Sequence, residues 1–458
     1  MKSGNTADLH TIFSEKFTAA TLGTNNAQRR IGSELKFPLV NPDGSAASRQ
    51  KVDKLWEYLC DNGWEAVRDG LTGRTVGAKV WGRQNETVAS CETGYCKTEF
   101  SMAHVGNLHE LQADVTELRH LLRPFCEDHE VQLLGYGIHP VTPPGKQLLM
   151  KKGRAGVWDK IFPSNRHIAP EDGDDVHLFT INAASHVHVS VTPDEAIAAV
   201  NVLNGFSAAQ IALTANSSIW MGQHDSNYRC VCEQFWDMWM AEENRVGMPQ
   251  APFMDLKDYI DTIARFKPVF VMRDDVPVML PHHATFYDYY TDPEPVGQDM
   301  QGNDVALLPT YADFDLHCTC YWYNARISHY FTVENRVNDQ QPPEELLTVP
   351  ALTLGLIAAL DESSAQIAAY DWDTLRQARV AAYCHGLADP SEGPLDLREL
   401  AGTMLDIATL GLQRRGLGEA QFLAPLRQRL ESCLCPADEM SQCYLEAGIA
   451  GIVERCSL

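Results

Sequence analysis

Several features that would mark other classes of protein are missing from this sequence. Residues 1–30 contain no apolar stretch of the length found in signal peptides. The longest apolar run, VPALTLGLIAAL at Val349 to Leu360, is too short to cross a bilayer, which takes about 20 residues. Positive charge is scarce, and the formal net charge is -24. We therefore expect neither a nucleic acid nor a membrane as a partner.

Motifs for zinc ribbons and for the common nucleotide-binding loops are also absent. The 13 cysteines include no C-x-x-C pair, and the one-residue gaps of the close pairs do not fit a zinc ribbon. Without a secretion signal, these cysteines predict reduced thiols and a cytoplasmic protein. Neither a P-loop nor G-x-G-x-x-G occurs, so a nucleotide would need a different cradle, built from arginines and metal ions.

The composition is that of a globular protein with a sizeable core. Apolar residues make up 45% of the 458 residues and charged residues 21%. The polar start predicts an irregular segment over residues 1–27. Mixed strand and helix patterns then predict an α+β catalytic domain over residues 28–345. The patterns after Pro343 are all helical, which predicts an α-helical C-terminal subdomain over residues 346–458 packed on that domain.

The stretch ETGYCKTEF carries two glutamates, Glu92 and Glu99, around Gly94. Its residue types favour a strand, in which this odd spacing would send the two carboxylates to opposite faces. A bend or bulge at Gly94 could return them to one side. Two carboxylates held close together need a cation between them. The alternative is two unrelated surface glutamates on a loop.

Alternation in SHVHVSV places His186, His188 and Ser190 on one face of a half-buried antiparallel strand. Three interpretations of that polar face are open. It could line a site, it could hold a zinc ion through its H-x-H pair together with a third ligand, or its histidines could be partly exposed with no such role. In YFTVENRVND, Glu334 and Arg336 share a face in the same way. Such a pair forms an ordinary salt bridge, or in a cleft it holds a metal and a phosphate oxygen.

Two sets of side chains follow from these patterns. The candidate ligands for a hard cation, each on or beside a predicted strand, are Glu34, Glu92, Glu99, His188 and Glu334. The candidate arginines for anionic groups are Arg229, Arg245, Arg326 and Arg336, and Arg326 lies with His317 in the predicted strand DLHCTCYWYNARISH. Carboxylate-rich sites suit Mg²⁺ or Mn²⁺, with nucleotide phosphates completing the coordination.

In this order the segments resemble the glutamate–cysteine ligases of the plant and proteobacterial type, within the glutamine synthetase-like superfamily. IGSELKF resembles the first metal-binding strand, and ETGYCKTEFSMAH the glutamate-bearing strands. ALTANSSIWMG, NYR and ENRVGMP resemble the substrate-binding segment. VENRVND resembles the Glu-x-Arg-x-x-Asp signature, matched by Glu334, Arg336 and Asp339. The resemblance implies a curved antiparallel β-sheet flanked by helices, with Glu92 and Glu99 on its concave side.

Two positions depart from that family pattern. The first strand of the family carries Glu-x-Glu, but here Lys36 stands two residues after Glu34, which puts one metal subsite in question. The strand around the two histidines varies among relatives, some of which have Gln there. Of the two, His188 is in better register than His186.

The resemblance also implies the reaction. ATP would phosphorylate the side-chain carboxylate of glutamate, and the amine of cysteine would displace phosphate from the γ-glutamyl phosphate. Arg336 and Glu334 would be catalytic, Arg326 and Arg336 would bind ATP, and Arg229 or Arg245 would bind the α-carboxylate. Mg²⁺ or Mn²⁺ would be the cofactor and ATP a co-substrate. The partners would be small molecules, and the protein a monomer or homodimer.

Three alternatives stay open at this point. A carboxylate–amine ligase of the same fold could use a different amine acceptor. A phosphotransferase related to the guanidino kinases shares the sheet, although the Glu-x-Arg-x-x-Asp match argues against it. A metal-binding, redox-sensing protein could use the H-x-H pair and the close cysteines.

Overall fold

The alternating patterns form one large antiparallel sheet in the computed structural model, which describes residues 6–21, 29–150, 157, 175–238, 244–387 and 393–458. The strands are β1 (Ile31–Val40), β2 (Glu65–Arg68), β3 (Thr75–Trp81), β4 (Glu86–Cys91), β5 (Lys97–Ser101), β6 (Gln132–Leu133), β7 (Ala184–Ser190), β8 (Ile219–Trp220), β9 (Gln223–His224), β10 (Val246–Gly247), β11 (Phe270–Arg273), β12 (Val276–Met279), β13 (Val296–Gln298), β14 (Asp304–Ala306), β15 (Trp322–Tyr323), β16 (Ala325–Ile327) and β17 (Thr332–Asp339).

Nine of these strands form the central sheet. Its order is β16-β17-β7-β1-β5-β4-β3-β2, with β6 added to β1, and all of its neighbouring pairs are antiparallel. β11 to β14 form a separate four-stranded sheet, and β8 with β9 and β10 with β15 form two small pairs. The predicted α+β class with an antiparallel sheet is confirmed.

Helices cover one face of the central sheet and fill the C-terminal part. They are α1 (Thr6–Ala20), α2 (Arg49–Asp61), α3 (Leu108–His129), α4 (Pro193–Gly205), α5 (Ser207–Thr214), α6 (Val231–Met238), α7 (Leu256–Ala264), α8 (Phe286–Thr291), α9 (Tyr311–His317), α10 (Thr348–Ala358), α11 (Leu360–Ala368), α12 (Trp372–His385), α13 (Leu397–Arg415), α14 (Ala424–Ser432) and α15 (Pro436–Cys456).

The long helix α3 shows how local sequence sets these elements. Its N-cap residue Asn107 accepts a hydrogen bond from the backbone N–H of Glu110, which satisfies one of the free donors of the first turn. Glu130 ends the helix in a left-handed conformation at φ 49°. The apolar side chains between these ends recur every three or four residues, so one stripe is buried. Those residues are Leu108, Leu111, Val115, Leu118, Leu122, Phe125 and Cys126.

The central helices pack on the sheet and on each other at close range. Helix α5 contacts β17, and α10 contacts β7. Helices α10 and α13 cross where Gly355 meets Gly411, and a Cβ added at Gly411 would lie 2.0 Å from the carbonyl oxygen of Gly355. Only glycine permits this approach. The described C-terminal helices therefore share one core with the sheet.

Among the described residues, no single helix has the length and apolar character of a membrane span. Two bent pairs reach that length and composition together. They are α4 with α5, bent by 52°, and Pro343–Ala358 with α11, bent by 86°.

The prediction of an irregular segment over residues 1–27 is wrong where the structure describes that segment. Helix α1 spans most of it, and Leu9, Phe13 and Phe17 are buried. The ring of Phe13 lies 5.3 Å from that of Phe331, centroid to centroid. These three apolar residues recur every four positions and so form one stripe, which the polar composition around them concealed.

The predicted strand DLHCTCYWYNARISH is also partly wrong. Its first residues belong to helix α9, which begins with a capping box between Thr310 and Asp313. His317 therefore lies on a helix, where its Nε2 is 2.8 Å from the carbonyl oxygen of Ile263 in the core. The strand character is confined to β15 and β16, and Arg326 lies on β16.

Candidate active site

Charged side chains from neighbouring strands meet on the face of the sheet opposite α5 and α10. Strand register places Arg326 opposite Glu334, and Glu334 opposite His188. In the next two rows, Glu34 lies opposite His186, and Lys36 lies opposite Glu99. Since alternate residues of a strand point to one face, these side chains project into the same space. We call these cross-strand pairs the charged rows.

A register shift in β17 sets the positions at its end. Asn335 lies opposite Val187 of β7, but Asn338 lies opposite Ser185, so β17 contains one extra residue there. Asn335 and Asn338 consequently both donate to the side-chain oxygen of Gln210 on α5. Asp339, the last residue of the predicted signature, lines the cavity instead.

Glu34, His186 and Glu334 form a group whose ligand atoms all lie within 4.8 Å of one another. His186 Nδ1 is 3.1 Å from Glu34 Oε2 and 3.7 Å from Glu334 Oε1. Burial, with the charges of Lys36 and Arg336, lowers the pKa of His186 to about 3. Its imidazole is therefore neutral and has a lone pair for a metal. Two carboxylates and a neutral imidazole fit a divalent cation.

Glu334 lies between two arginines. Its Oε2 accepts from Arg326 Nε at 2.7 Å, and its Oε1 accepts from Arg336. Burial opposes the charge on this carboxylate, but the two guanidinium groups hold its pKa well below the usual range. Arg326 also donates from Nη1 to the carbonyl oxygen of Tyr321 at 2.8 Å, and both arginines line the cavity above the sheet.

Lys36 lies among three carboxylates. Its Nζ is 2.7 Å from Glu99 Oε2, 2.9 Å from Glu92 Oε1 and 3.2 Å from Glu34 Oε2. Burial opposes the charge on Lys36, but the three glutamates raise its pKa well above the usual value. Burial raises the pKa of Glu99 to about 8. The negative charges of Glu34 and Glu92 raise this pKa further, whereas the positive charge of Lys36 lowers it only in part.

Two cavities open on this face of the sheet. The first has a volume of about 400 Å³ and contains the charged rows together with an aromatic wall of Phe179, Trp236 and Trp322. The rings of Phe179 and Trp236 lie 4.2 Å apart, and Trp236 stacks on Trp322 at 6.1 Å. The second cavity, about 990 Å³, shares Glu34 with the first and also contains His188.

Glu92 and Glu99 do reach one side, although not through a bulge. The chain reverses between β4 and β5, so Glu92 follows the end of one strand and Glu99 lies within the next. A Cβ added at Gly94 in this turn would lie 2.0 Å from the carbonyl oxygen of Thr180, so the turn requires glycine. The turn around Gly94 therefore lies between two paired strands and not within a single strand.

The preference for His188 over His186 as the metal ligand is not supported by the geometry. His188 Nε2 does lie 3.2 Å from Glu34 Oε1, but His186 completes the group with Glu34 and Glu334. Burial opposes charge on His188, yet its contact with Glu34 and the charges of Glu334 and Glu34 raise its pKa. Since a metal binds only the neutral imidazole, a raised pKa makes His188 a poorer metal ligand than His186.

The structure does not bring Arg229 and Arg245 into this site. Arg229 donates from Nε to Asp438 at 2.6 Å, on helix α15. Arg245 is 1% exposed, and its Nη2 donates to the carbonyl oxygen of Lys267 at 2.8 Å. Among the described residues, neither lines the cavity that holds the charged rows. These partners lie outside the segments around the two arginines, so those segments gave no sign of the contacts.

Sequence reasoning missed Lys97, which also lines the first cavity. Its Nζ donates to Asn182 at 2.9 Å and to the carbonyl oxygen of Phe179 at 3.1 Å. Burial lowers the pKa of Lys97 to about 8. The signal was present, because Lys97 and Glu99 are two residues apart and so share a face of β5. The aromatic wall gave no such signal, since its residues come from separate segments.

A family model described as Glutamate–cysteine ligase family 2 matches residues 30–455. The chain belongs to this family. The match crosses the predicted boundary at residue 345 and includes every residue of the charged rows. The expected resemblance to glutamate–cysteine ligases is confirmed.

Sequence identity between this chain and known glutamate–cysteine ligases is low, although the matches cover most of the chain. The chloroplastic glutamate–cysteine ligase of Arabidopsis thaliana is 26% identical over 411 residues, 86% of this chain and 72% of the relative. That of Medicago truncatula is 25% identical over 425 residues, 91% and 78%. The crystal structure of a glutamate–cysteine ligase from Francisella tularensis in complex with AMP matches with a TM-score of 0.57 at 11% identity, covering 94% of this chain and 87% of that one. This likeness confirms the predicted glutamine synthetase-like fold.

Proposed function

We propose that this protein is an ATP-dependent ligase that joins the γ-carboxylate of L-glutamate to the amine of L-cysteine. The products are γ-glutamylcysteine, ADP and phosphate, the first step of glutathione-type thiol synthesis. Family membership over residues 30–455 supports the reaction class. The observation that carries the proposal is Glu334, fixed between Arg326 and Arg336 beside Glu34 and His186. This arrangement combines a cation site with donors for phosphate oxygens.

Glu34, His186 and Glu334 would hold Mg²⁺ or Mn²⁺, since hard oxygen ligands dominate the group. When bound, the ion supplies positive charge that neutralises the phosphate oxygens of ATP. His186 is neutral and buried, so it offers a nitrogen without adding charge. The two carboxylates balance the ion once it binds.

Arg336 and Arg326 would bind ATP at the same place. Arg336 has a planar set of donors that can contact two phosphate oxygens at once. Glu334 fixes the orientation of both guanidinium groups before substrate binds, which avoids reorganisation during the reaction. We assign Arg336 to the phosphoryl group that moves from ATP to the glutamate carboxylate.

The aromatic wall favours a second candidate for the acceptor amine. Phe179, Trp236 and Trp322 present a broad apolar surface beside the charged rows. A ligase of this kind with a larger or more apolar amine in place of cysteine would use that surface. The glutamate half of the reaction is the same in both candidates.

A coupled assay for ADP separates these candidates. Purified protein is supplied with ATP, Mg²⁺ and glutamate, and then with cysteine or with a panel of other amines. We expect ADP release that requires both glutamate and an acceptor, with γ-glutamylcysteine identified by mass spectrometry. A larger rate with an apolar amine would select the second candidate. ADP release that does not depend on glutamate would contradict both.

Compartment and assembly are part of the same proposal. All 13 cysteines are free thiols, which supports a reducing compartment such as the cytoplasm. We propose small-molecule partners and a monomeric or homodimeric protein. Sedimentation equilibrium of the purified protein checks the assembly state.

A further inference from the structure

We infer that the ammonium group of Lys36 is a tethered cation that fills a position where Glu34, Glu92 and Glu99 would otherwise bind a divalent ion. Ion binding on this face is then confined to the group of Glu34, His186 and Glu334. Any role of Lys36 in the ligase reaction rests on the proposed function. The number of ions that the protein binds can be measured whether or not that function is correct.

The contacts of Lys36 match the bonding capacity of an ammonium group. An ammonium has three N–H donors and no acceptor. Nζ lies 2.7 to 3.2 Å from one oxygen each of Glu99, Glu92 and Glu34. The three carboxylates come from β5, from the turn after β4 and from β1. The ammonium therefore donates a hydrogen bond to Glu92 and lies at ion-pair distance from Glu34 and Glu99, so three carboxylates surround one point.

Lys36 is held in this position by the fold. The residue is only 7% exposed, and its backbone lies opposite Glu99 in the β1–β5 pairing. Its carbonyl oxygen accepts a hydrogen bond from Gln340 Nε2 at 3.0 Å. A lysine on a surface loop could swing away to admit an ion, but Lys36 is a residue of a central strand.

A second divalent ion among the same three carboxylates would lie within a few ångströms of the ammonium. Two positive charges at that distance in a buried site repel strongly. Glu34 is shared, because its Oε2 contacts both Lys36 and His186. The tethered charge thus offsets part of the negative charge of the three carboxylates without an exchangeable ion, and it holds Glu34 beside the neighbouring metal group.

Counting bound Mn²⁺ tests this inference without ATP or turnover. Free Mn²⁺ is measured by electron paramagnetic resonance during titration of the full chain, for wild type, Lys36→Met and Lys36→Glu. We expect each variant to bind one more Mn²⁺ per chain than wild type. Lys36→Met removes the ammonium without adding a ligand, and Lys36→Glu adds a fourth carboxylate. Equal ion numbers in wild type and both folded variants would overturn the inference.

Lys79→Glu is the matched control, since it makes the same change of charge on β3, where Lys79 pairs with Glu86 outside the cavity that holds Lys36. Its ion number should equal that of wild type. If the Lys36 variants do not fold, Glu92→Gln in the wild-type background replaces them. Because Glu92 contacts the ammonium, Glu92→Gln should leave the ion number unchanged. Loss of an ion in Glu92→Gln would overturn the inference, whereas a ligase assay that fails beside the expected ion numbers contradicts only the proposed function.

Discussion

The face of the sheet that carries the charged rows has opposite arrangements of charge at its two ends. At one end a carboxylate, Glu334, lies between the guanidinium groups of Arg326 and Arg336. At the other end an ammonium, that of Lys36, lies among three carboxylates. Positive charge is in excess at the first end and negative charge at the second. The difference indicates the direction in which substrates bind.

Phosphate oxygens belong at the arginine end, where donors are in excess. At the lysine end carboxylates outnumber the ammonium of Lys36, so this end would repel phosphates. Glu34 joins the ends, because it contacts Lys36, His186 and His188. Variants at the two ends should therefore differ in whether they lose stability, turnover or Mg²⁺ dependence. The expected effects become smaller from the arginine end to the exposed part of the sheet at Lys79.

The largest effect is expected for Glu334→Gln. This change leaves the buried charges of Arg326 and Arg336 without their shared partner, and such losses cost about 3–5 kcal/mol of stability. Activity should also disappear, because the amide is a poor cation ligand. Urea denaturation measures the first effect. Glu344→Gln, which breaks a contact of Arg119 with an exposed carboxylate, is the control and should not shift the transition. An unchanged transition in Glu334→Gln would show that the arginines need no anion.

Arg336→Lys should reduce turnover steeply while sparing stability. The substitution keeps the charge beside Glu334 but loses the planar pair of donors, and a lost contact of this kind typically lowers turnover by on the order of 10²–10³. The apparent affinity for ATP should fall less than turnover, because the contact is strongest in the transition state. Steady-state kinetics and thermal melting measure both quantities.

Arg229→Lys is the matched control for that variant, since Arg229 pairs with Asp438 outside the cavity that holds Arg336. Its turnover should stay within a few-fold of wild type. A large loss in Arg229→Lys would restore the original assignment of this arginine to substrate binding. An early melting transition with normal turnover in Arg336→Lys would make Arg336 a structural residue.

Glu99→Gln should have a smaller effect. Burial raises the pKa of Glu99 to about 8, so Glu99 contributes less negative charge near pH 7 than a carboxylate of ordinary pKa would, and glutamine keeps its shape. We expect less than about a tenfold loss of turnover, which corresponds to about 1.4 kcal/mol. The Mg²⁺ dependence should not change, whereas Glu34→Gln should raise the Mg²⁺ requirement. The difference from wild type should widen above pH 8, and a pH–rate profile tests this. An equal rise in the Mg²⁺ requirement in both variants would make Glu99 a metal ligand.

The smallest effect is expected at the exposed edge of the same sheet. Lys79 on β3 pairs with Glu86 on β4 where both side chains are partly exposed. Water and salt screen such pairs, so Lys79→Ala should change neither the melting temperature nor the turnover beyond experimental error. A clear loss of turnover there would mean that the substrate site extends to this edge.

The sequence predicted those parts of the site that depend on local periodicity. Glu334 and Arg336 share a face because strand side chains alternate, and the same rule placed His186 and His188 together. The partners of Lys36 could not be predicted in this way, since Glu92 is distant in sequence and reaches Lys36 only through pairing of β1, β5 and β4. The propensities of residues predict helices and strands, whereas the contacts between helices and strands depend on how they pack in the fold.

The errors have the same origin. Arg229 lies in a segment that resembles a substrate-binding region, but its guanidinium is satisfied by Asp438 on the last helix. No local pattern contains that partner. The missed helix α1 is a different case, because the spacing of Leu9, Phe13 and Phe17 was present in the sequence. Its apolar stripe is narrow, and most of its exposed residues are polar.

The extra residue in β17 makes the length of this strand matter more than its composition. Asn335 and Asn338 are three positions apart, and they share a face because β17 accommodates one extra residue between them. Deletion of Val337 would restore uninterrupted pairing with β7. Regular alternation would then keep Asn338 on the side of Gln210 and Asp339 on the side of the cavity, because residues two positions apart share a face. Conservative substitutions along β17 are expected to be tolerated, but a one-residue insertion or deletion elsewhere in the strand would exchange its two faces beyond that point.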